Sequence, residues 1–461
     1  MERFDVAIVG GGPAGSSAAH AAASRGASAV VLEKGVPRAD RPDRLGPDST
    51  DAAGILDYWV DIMGIHPDEM PDDVVLSHLD RAEFVGPNES IVLRKTGIES
   101  SYDEFGYCFH RAKFDDWMRD RAEEAGAAYR VKASVRDVET DPDGDSDGPR
   151  HVVRLASGED IAADFVVLAD GPQRTVTNKV LDRFVPFDIT DRLATTKVNH
   201  IAYQEHRRLP EEVYDEVSGA IKFWWGYMPG HTAYPWIFPN DGNVARVGLT
   251  MPIGLDIDEI EDGEKYALLR EDDERIPQGK EYVRRLLEQE YGDEYDVDED
   301  FPLVEDRGKT KGTETYAISS TRPIDSPTTA GIAVVGGAMG ATSAFHEGGD
   351  HVAVRTGAIA GELAAEGDLT PYNARWKDAI GEEVLRNVSF ADIVRDYGPD
   401  DWDWAFSTAK KLQVESGPEL FKTSKIGAGL NAARLVTSYK KAKFKYRKGK
   451  YVQLNESEYT V

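Results

Sequence analysis

Three groups of residues in this chain carry chemistry by type and spacing. The first is Gly10-x-Gly12-x-x-Gly15, set between an apolar run, Phe4 to Val9, and an alanine-rich stretch, Ser16 to Arg25. The first glycine permits a tight turn, the second lets backbone approach a pyrophosphate, and the third lets helix and strand pack closely, so that the helix N-terminus faces the phosphates. Pro13 and Ala14 lie within that loop. Glu33 and Lys34 close a second short run, Ala29 to Leu32, where the Glu33 carboxylate is placed to accept hydrogen bonds from an adenosine ribose. The second group is Tyr234-Pro235-Trp236-Ile237-Phe238-Pro239, followed after eight residues by Gly248. Strand alternation puts Tyr234, Trp236 and Phe238 on one face. Such a row of rings lines a channel for a long apolar ligand or packs as an ordinary core strand. The third is His346, a titratable side chain in the glycine-rich stretch Gly336 to Gly349, read equally as a group near a bound cofactor or as a satisfied loop histidine.

These groups need elements to hold them. Phe4 to Val9, the glycine turn, the alanine-rich helix ending at Gly26 and the strand from Ala29 form β–turn–helix–β in about 30 residues, the opening unit of a dinucleotide-binding fold. Helical spacing is expected from Phe114 to Ala125, and strands at Val131 to Val138, His151 to Leu155 and Asp164 to Ala169. Residues 185–310 have another texture. Aromatic strands run from Phe223 to Tyr227, Tyr234 to Phe238 and Val244 to Thr250, with a hairpin turn at Asn240 to Asn243 and a charged helical stretch from Glu281 to Tyr291. Gly331 to Gly336 returns to a buried strand, and residues 370–461 are mostly helical by pattern.

Composition bounds the rest. The 461 residues carry a net charge of −29, with 83 Asp+Glu against 54 Lys+Arg, which disfavours nucleic acid as a partner. This acidity resembles residue usage in proteins of salt-loving organisms. The charge is uneven: ten basic residues and no acidic one lie between Lys422 and Lys450, which leaves −39 for the remainder. A basic end on an acidic body suggests a partner surface. One cysteine, Cys108, excludes an internal disulfide framework, a multi-cysteine zinc site and a cysteine-ligated iron–sulfur cluster, and it is read as a buried small residue. The opening residues do not read as a secretory signal and no apolar run reaches about 18 residues. A cytoplasmic protein, with peripheral membrane contact as an option, is the expectation.

Further motifs resemble a known family. Val166 to Gly171 resembles the second fingerprint of FAD enzymes of the aromatic-hydroxylase type, with Asp170-Gly171 at its end. Gly331 to Gly336 resembles their third, and Arg111-x-x-Phe114-Asp115 their segment whose arginine lies near the flavin diphosphate. Tyr234-x-Trp236-x-Phe238-Pro239 with Gly248 resembles the signature of the geranylgeranyl reductase family, whose archaeal members saturate isoprenoid chains of membrane lipids. The resemblance covers roughly residues 1–365. It implies FAD, held by Gly10, Gly12, Pro13, Ala14, Gly15, Glu33, Lys34, Arg111, Val135, Asp170, Gly171, Gly336, Gly337, Gly348 and Gly349, and a site built on Tyr234, Trp236, Phe238 and His346. Two departures stand out. Gly337 and Ala344 replace the family's Asp and Pro, and Glu347 the first of its closing glycines; Leu45, in Asp43-Arg44-Leu45-Gly46, stands where the family often has cysteine.

The implied fold is α/β: a Rossmann-like FAD-binding domain, an inserted antiparallel-sheet substrate domain and a helical C-terminal region with a basic tail. The expected divisions are 1–180 with 310–365, then 185–310 with part of 60–105, then 366–461. The implied activity is FAD-dependent reduction of C=C bonds in geranylgeranyl chains, with ferredoxin or NAD(P)H as electron donor and the basic tail contacting a donor protein or a membrane surface. A flavin monooxygenase or halogenase, or a lipid- or partner-binding protein without FAD, are the alternatives.

Overall fold

The computed structural model describes residues 1–36, 54–141, 149–188, 193–194, 199–319, 321–416 and 430–461. The Asp43 to Gly46 segment, Lys422 and Lys425 lie outside them. The first sheet has seven strands. Its central strand, Glu2–Val9, runs parallel to Ala29–Leu32 on one side and to Asp160–Leu168 on the other, with Val9 opposite Leu168. Ile332–Val334 pairs parallel with the far side of Asp160–Leu168, with Val334 opposite Leu168. That register brings three loops separated by hundreds of residues to the same carboxyl edge: the turn at Gly10, the turn at Gly171 and the turn at Gly336. In open parallel sheets, ligands bind at this edge. At that edge the strands Val6 to Val9, Ala29–Leu32, Val166 to Leu168 and Ile332–Val334 are buried, as their unbroken Val, Ile, Leu and Ala content requires.

The second sheet also has seven strands, in the order Thr313–Ser319, Asn199–Arg208, Val244–Pro252, Tyr234–Pro239, Ala220–Trp224, Arg81–Val85 and Ser90–Leu93. Its pairs are antiparallel except Ala220–Trp224 with Arg81–Val85. The hairpin expected at Asn240 to Asn243 is present, with Gly242 and Asn243 at φ +63° and +58°. Two expected divisions shift. Thr313–Ser319 joins this sheet instead of the first domain, because its partner is Asn199–Arg208 along seven residue pairs. The strand expected from Phe223 to Tyr227 begins at Ala220 and ends at Trp224, where its pairing with Arg81–Val85 ends. A small third sheet, Gly54–Leu56, Gly106–Phe109 and Val75–Leu79, holds Cys108, which is fully buried.

Helix Pro13–Ala23 packs on helix Asp350–Ala365 at backbone distance. A Cβ on Gly357 would lie 2.0 Å from the Ala14 carbonyl oxygen, and one on Gly361 2.1 Å from that of Ala18. Glycines four apart on one helix thus meet alanines four apart on the other. The C-terminal region consists of helices Tyr372–Ile393, Pro399–Ser416 and Leu430–Tyr446. The basic end is not a free tail: most of it is the last of these helices. Beyond it the chain folds back, so that Tyr451 and Leu454 join the core of the first domain and the Leu454 carbonyl accepts from Asp325 N–H at 2.8 Å. Among the described residues, no helix is long and apolar enough to cross a membrane.

Candidate active site

A cavity of about 450 Å³ lies between the carboxyl edge of the first sheet and one face of the second, within the range of small-molecule sites. Gly12, Pro13, Ala14, Gly171, Gly337, Gly348, Gly349 and Arg111 line its first side. Two helices begin there, Pro13–Ala23 and Asp350–Ala365, and their N-caps, Gly12 and Gly349, offer no side chain to the first turn. Each N-terminus therefore presents unsatisfied N–H groups and positive dipole to the cavity. A Cβ on Gly12 would meet nothing within 4 Å, so backbone there is open to a ligand. Two uncapped helix starts facing one cavity fit the pyrophosphate and the electron-rich ring edge of FAD.

Arg111, the first residue of helix Arg111–Glu124, ties that helix to the second of these starts. Its Nε donates to Asp115 at 2.7 Å and one terminal nitrogen meets Asp350, the first residue of the second helix, at 2.8 Å. Burial works against its charge, but Asp115 and Asp350 overcome that and hold its pKa above the ordinary value. Burial raises the Asp350 carboxyl, against the pull of Arg111.

Other cofactor candidates take different places. Gly10 and Gly15 are packing positions: a Cβ on Gly10 would lie 2.4 Å from the Ala169 carbonyl oxygen, and one on Gly15 1.9 Å from that of Gly10. Gly336, at φ +57°, packs on Ala14 and Ala353. Glu33 folds onto its own loop, accepting from Gly11 N–H and Gly35 N–H, both at 2.6 Å. Lys34 is exposed. Val135 lies in the first-domain core, away from the residues that line the cavity. Asp170 lies just past the end of its strand, at the cavity edge. Its carboxylate turns away to accept from the N–H groups of Val176 and Thr177 and from the Thr177 hydroxyl, leaving Gly171 to line the cavity. The fingerprint fixes the turn but carries no information on the direction of that side chain.

Gly337 lines the cavity where the family has Asp, and a Cβ there would sit 3.2 Å from Pro172 Cδ. A Gly337→Asp variant is expected to tighten FAD by about tenfold, since a hydrogen bond to a charged group contributes roughly 1.5–3 kcal/mol and Pro172 must give by a few tenths of an ångström. Titration of the apoprotein with FAD checks this; unchanged affinity would mean that the ribityl chain passes elsewhere.

The second side is aromatic. Tyr234, Trp236 and Phe238 all face the cavity, and Trp236 and Phe238 stack at 5.6 Å between centroids. Trp225 stacks on Tyr234 at 4.4 Å and on Phe345 at 5.3 Å. The spacing to Gly248 now has a cause. Gly248 pairs with Trp236, and a Cβ there would lie 2.8 Å from the indole ring and 2.6 Å from the Tyr203 carbonyl oxygen. Only glycine admits the Trp236 ring flat against the neighbouring strand. The Tyr234 hydroxyl donates to the His346 carbonyl at 2.8 Å, and burial pushes its pKa well above the usual phenol value.

At one end of the cavity is a polar wall that composition and motif reading did not reveal. Glu383, on helix Tyr372–Ile393, accepts from Arg386, from Asn387 at 2.9 Å and from Tyr58 at 3.4 Å. Spacings of three and four place these side chains on one helix face, a pattern visible in sequence but without meaning until the helix is docked. His351 stacks on Trp59 at 4.1 Å with its Nε2 3.8 Å from Glu383. His346 Nε2 lies 3.6 Å from the same oxygen, and its Nδ1 accepts from Gly348 N–H at 3.2 Å. Burial, with Arg386 adding to it, lowers the His346 pKa to about 3, so the ring is neutral.

Burial likewise lowers His151, on strand His151–Leu155 of the first sheet, to about 3 from an ordinary 6.5. Between those values the unfolded chain binds the proton and the folded chain does not, so stability falls as pH drops from about 6.5 towards 3. Each such histidine contributes at most about 1.4 kcal/mol per pH unit. Denaturant unfolding at several pH values should show His151→Gln losing less stability on acidification than the parent chain; equal losses would mean that His151 is protonated in the fold.

A family model described as an FAD binding domain matches residues 3–204. The chain is 27% identical to digeranylgeranylglycerophospholipid reductase 2 of Methanopyrus kandleri over 463 residues, covering 96% of this chain and 98% of that one. It is 25% identical to the protein of the same name from Methanothermobacter thermautotrophicus over 442 residues, covering 92% and 94%. A geranylgeranyl bacteriochlorophyll reductase-like protein of Thermoplasma acidophilum has a similar structure, with a TM-score of 0.63 at 20% identity and 97% of each chain covered. The resemblance read from the motifs is thus shown along the whole chain, the fold is the FAD-binding α/β fold, and the cofactor is FAD.

Proposed function

We propose that this chain, a homologue of the digeranylgeranylglycerophospholipid reductases, is an FAD-dependent reductase that saturates C=C bonds in isoprenoid chains of lipids. One observation carries the reading furthest: the row Tyr234, Trp236 and Phe238 forms one side of a cavity whose other side holds two uncapped helix starts. An isolated alkene has no carbonyl to polarise, so positioning and exclusion of water matter more than an oxyanion hole. FAD, when bound and reduced, supplies a hydride. The protein's residues do the remainder. Rings of the second sheet hold an apolar chain, Gly12 and Gly349 leave helix starts open for the cofactor, and Arg111 holds Asp350 at the second of these starts.

The basic helix supports a peripheral contact with an anionic lipid surface. Tyr439 on it stacks on Phe390 at 4.8 Å, and Phe390 stacks on Phe345 at 5.4 Å, so a file of rings joins it to the cavity wall. Phe444 is 62% exposed, and Lys440 and Lys441 are exposed beside it. Ferredoxin or NAD(P)H remains the electron donor of this reading. Incubating the dithionite-reduced protein with a digeranylgeranylglycerophospholipid and weighing the product tests the reading. Gain of two hydrogens per double bond is expected, and an unchanged lipid mass would overturn it.

A further inference from the structure

We propose that Glu347 is the catalytic acid of this site, delivering the proton that completes reduction of the double bond. The inference rests on the reductase reading. Among the described residues lining the cavity, two bear carboxyl groups, Glu347 and Asp350. Asp350 is committed to Arg111 at 2.8 Å. Other candidates are engaged in ways that withhold a proton. The Tyr234 hydroxyl is spent on the His346 carbonyl. His346 is a neutral ring whose Nδ1 accepts from the backbone. Glu383 sits behind three donors, Arg386, Asn387 and Tyr58.

Glu347 is engaged as well, but by a hydroxyl and an imidazole, groups that can exchange a proton with it. It stands immediately before Gly348 and Gly349, at the start of the helix that faces the cofactor, and opposite the strands that carry the aromatic row. Its backbone is left-handed, at φ +58°, a conformation that disfavours a side chain with a Cβ and that persists where function or packing imposes it. Its side chain is 2% exposed. One oxygen accepts from the Thr250 hydroxyl at 2.5 Å, and the other meets His200 Nδ1. Thr250 fixes its orientation, and His200 is a second proton-bearing group in direct contact. His231 lies beyond, 6.4 Å from His200 between ring centroids.

The step balances. One alkene carbon receives a hydride, with its electron pair, from the reduced cofactor, which is oxidised. The other carbon receives the Glu347 proton as the π bond breaks, and the new carboxylate regains a proton through His200. Where this family closes its loop with glycine, this chain has placed an acid.

The test uses Glu347→Gln, Glu347→Asp and the parent protein, each loaded with FAD. Affinity of the apoprotein for FAD should stay within about twofold in both variants, whereas flavin reoxidation by a digeranylgeranylglycerophospholipid after dithionite reduction should slow by about 100-fold or more in Glu347→Gln, the usual scale for a lost general acid. Glu347→Asp should recover part of that rate. Reoxidation by Glu347→Gln at the parental rate, or loss of its FAD affinity, would overturn the assignment. Failure of the parent protein itself to reduce the lipid would instead overturn the reductase reading, and the acid with it.

Discussion

Arg111→Ala is expected to yield a protein that retains no FAD through gel filtration and unfolds at markedly lower denaturant. Arg111 meets both Asp115 and Asp350, at 2.7 and 2.8 Å, with its side chain 20% exposed. Removing it leaves two carboxylates facing each other in a largely buried space. Breaking such a pair from one side costs about 3–5 kcal/mol, chiefly because the remaining charges are uncompensated. The loss extends to the cofactor, since Asp350 opens the helix whose start lines the site. Arg111→Lys should fall between, because one ammonium cannot serve both carboxylates with the geometry of a guanidinium. Adding Asp350→Asn to Arg111→Ala should restore part of the stability and none of the FAD. Full stability in the single variant would show that water or a counter-ion already compensates these carboxylates.

The second large effect is expected from one methyl group. In Gly357→Ala the added carbon meets the Ala14 carbonyl at 2.0 Å, a contact with backbone that no side-chain rotation relieves. The helices must separate, and their two N-termini move with them. A loss of about 3 kcal/mol is expected, with FAD affinity falling at least tenfold. Gly398→Ala is the control, since a Cβ there meets nothing within 4 Å. Parallel denaturant unfolding and FAD titration measure both. If Gly357→Ala binds FAD like the parent, the helix pair does not set the spacing of the cofactor's two contacts.

Local chemistry was legible in the sequence where function needs a fixed spacing. The turn at Gly10, Gly12 and Gly15 is read by its neighbours in the chain, and the aromatic strand by alternation. Gly248 was part of a pattern whose reason, room for the Trp236 ring, is a cross-strand contact and so invisible along the chain. Side-chain direction was harder: the Asp170 carboxylate turns to Val176 and Thr177, and Val135 is an inward residue of its strand. Glu383, Arg386 and Asn387 were missed because three polar residues on a helix signify a solvated face until another element buries them. Glu347 was registered only as a missing glycine. Strand Thr313–Ser319 went to the other domain because its partner lies more than a hundred residues upstream.

The packing of helix Pro13–Ala23 on helix Asp350–Ala365 also bears on how the molecule is made. The helix that seats against the phosphate loop through Gly357 and Gly361 is made some 340 positions after it. The second sheet is likewise assembled from three separate visits of the chain, near residues 81–93, 199–252 and 313–319. Contacts so remote along the chain make for slow folding. The nascent N-terminal segment must wait with its alanine face uncovered, a state prone to aggregation. The cavity lined by both Gly12 and Gly349 is therefore complete only once the later helix has been made.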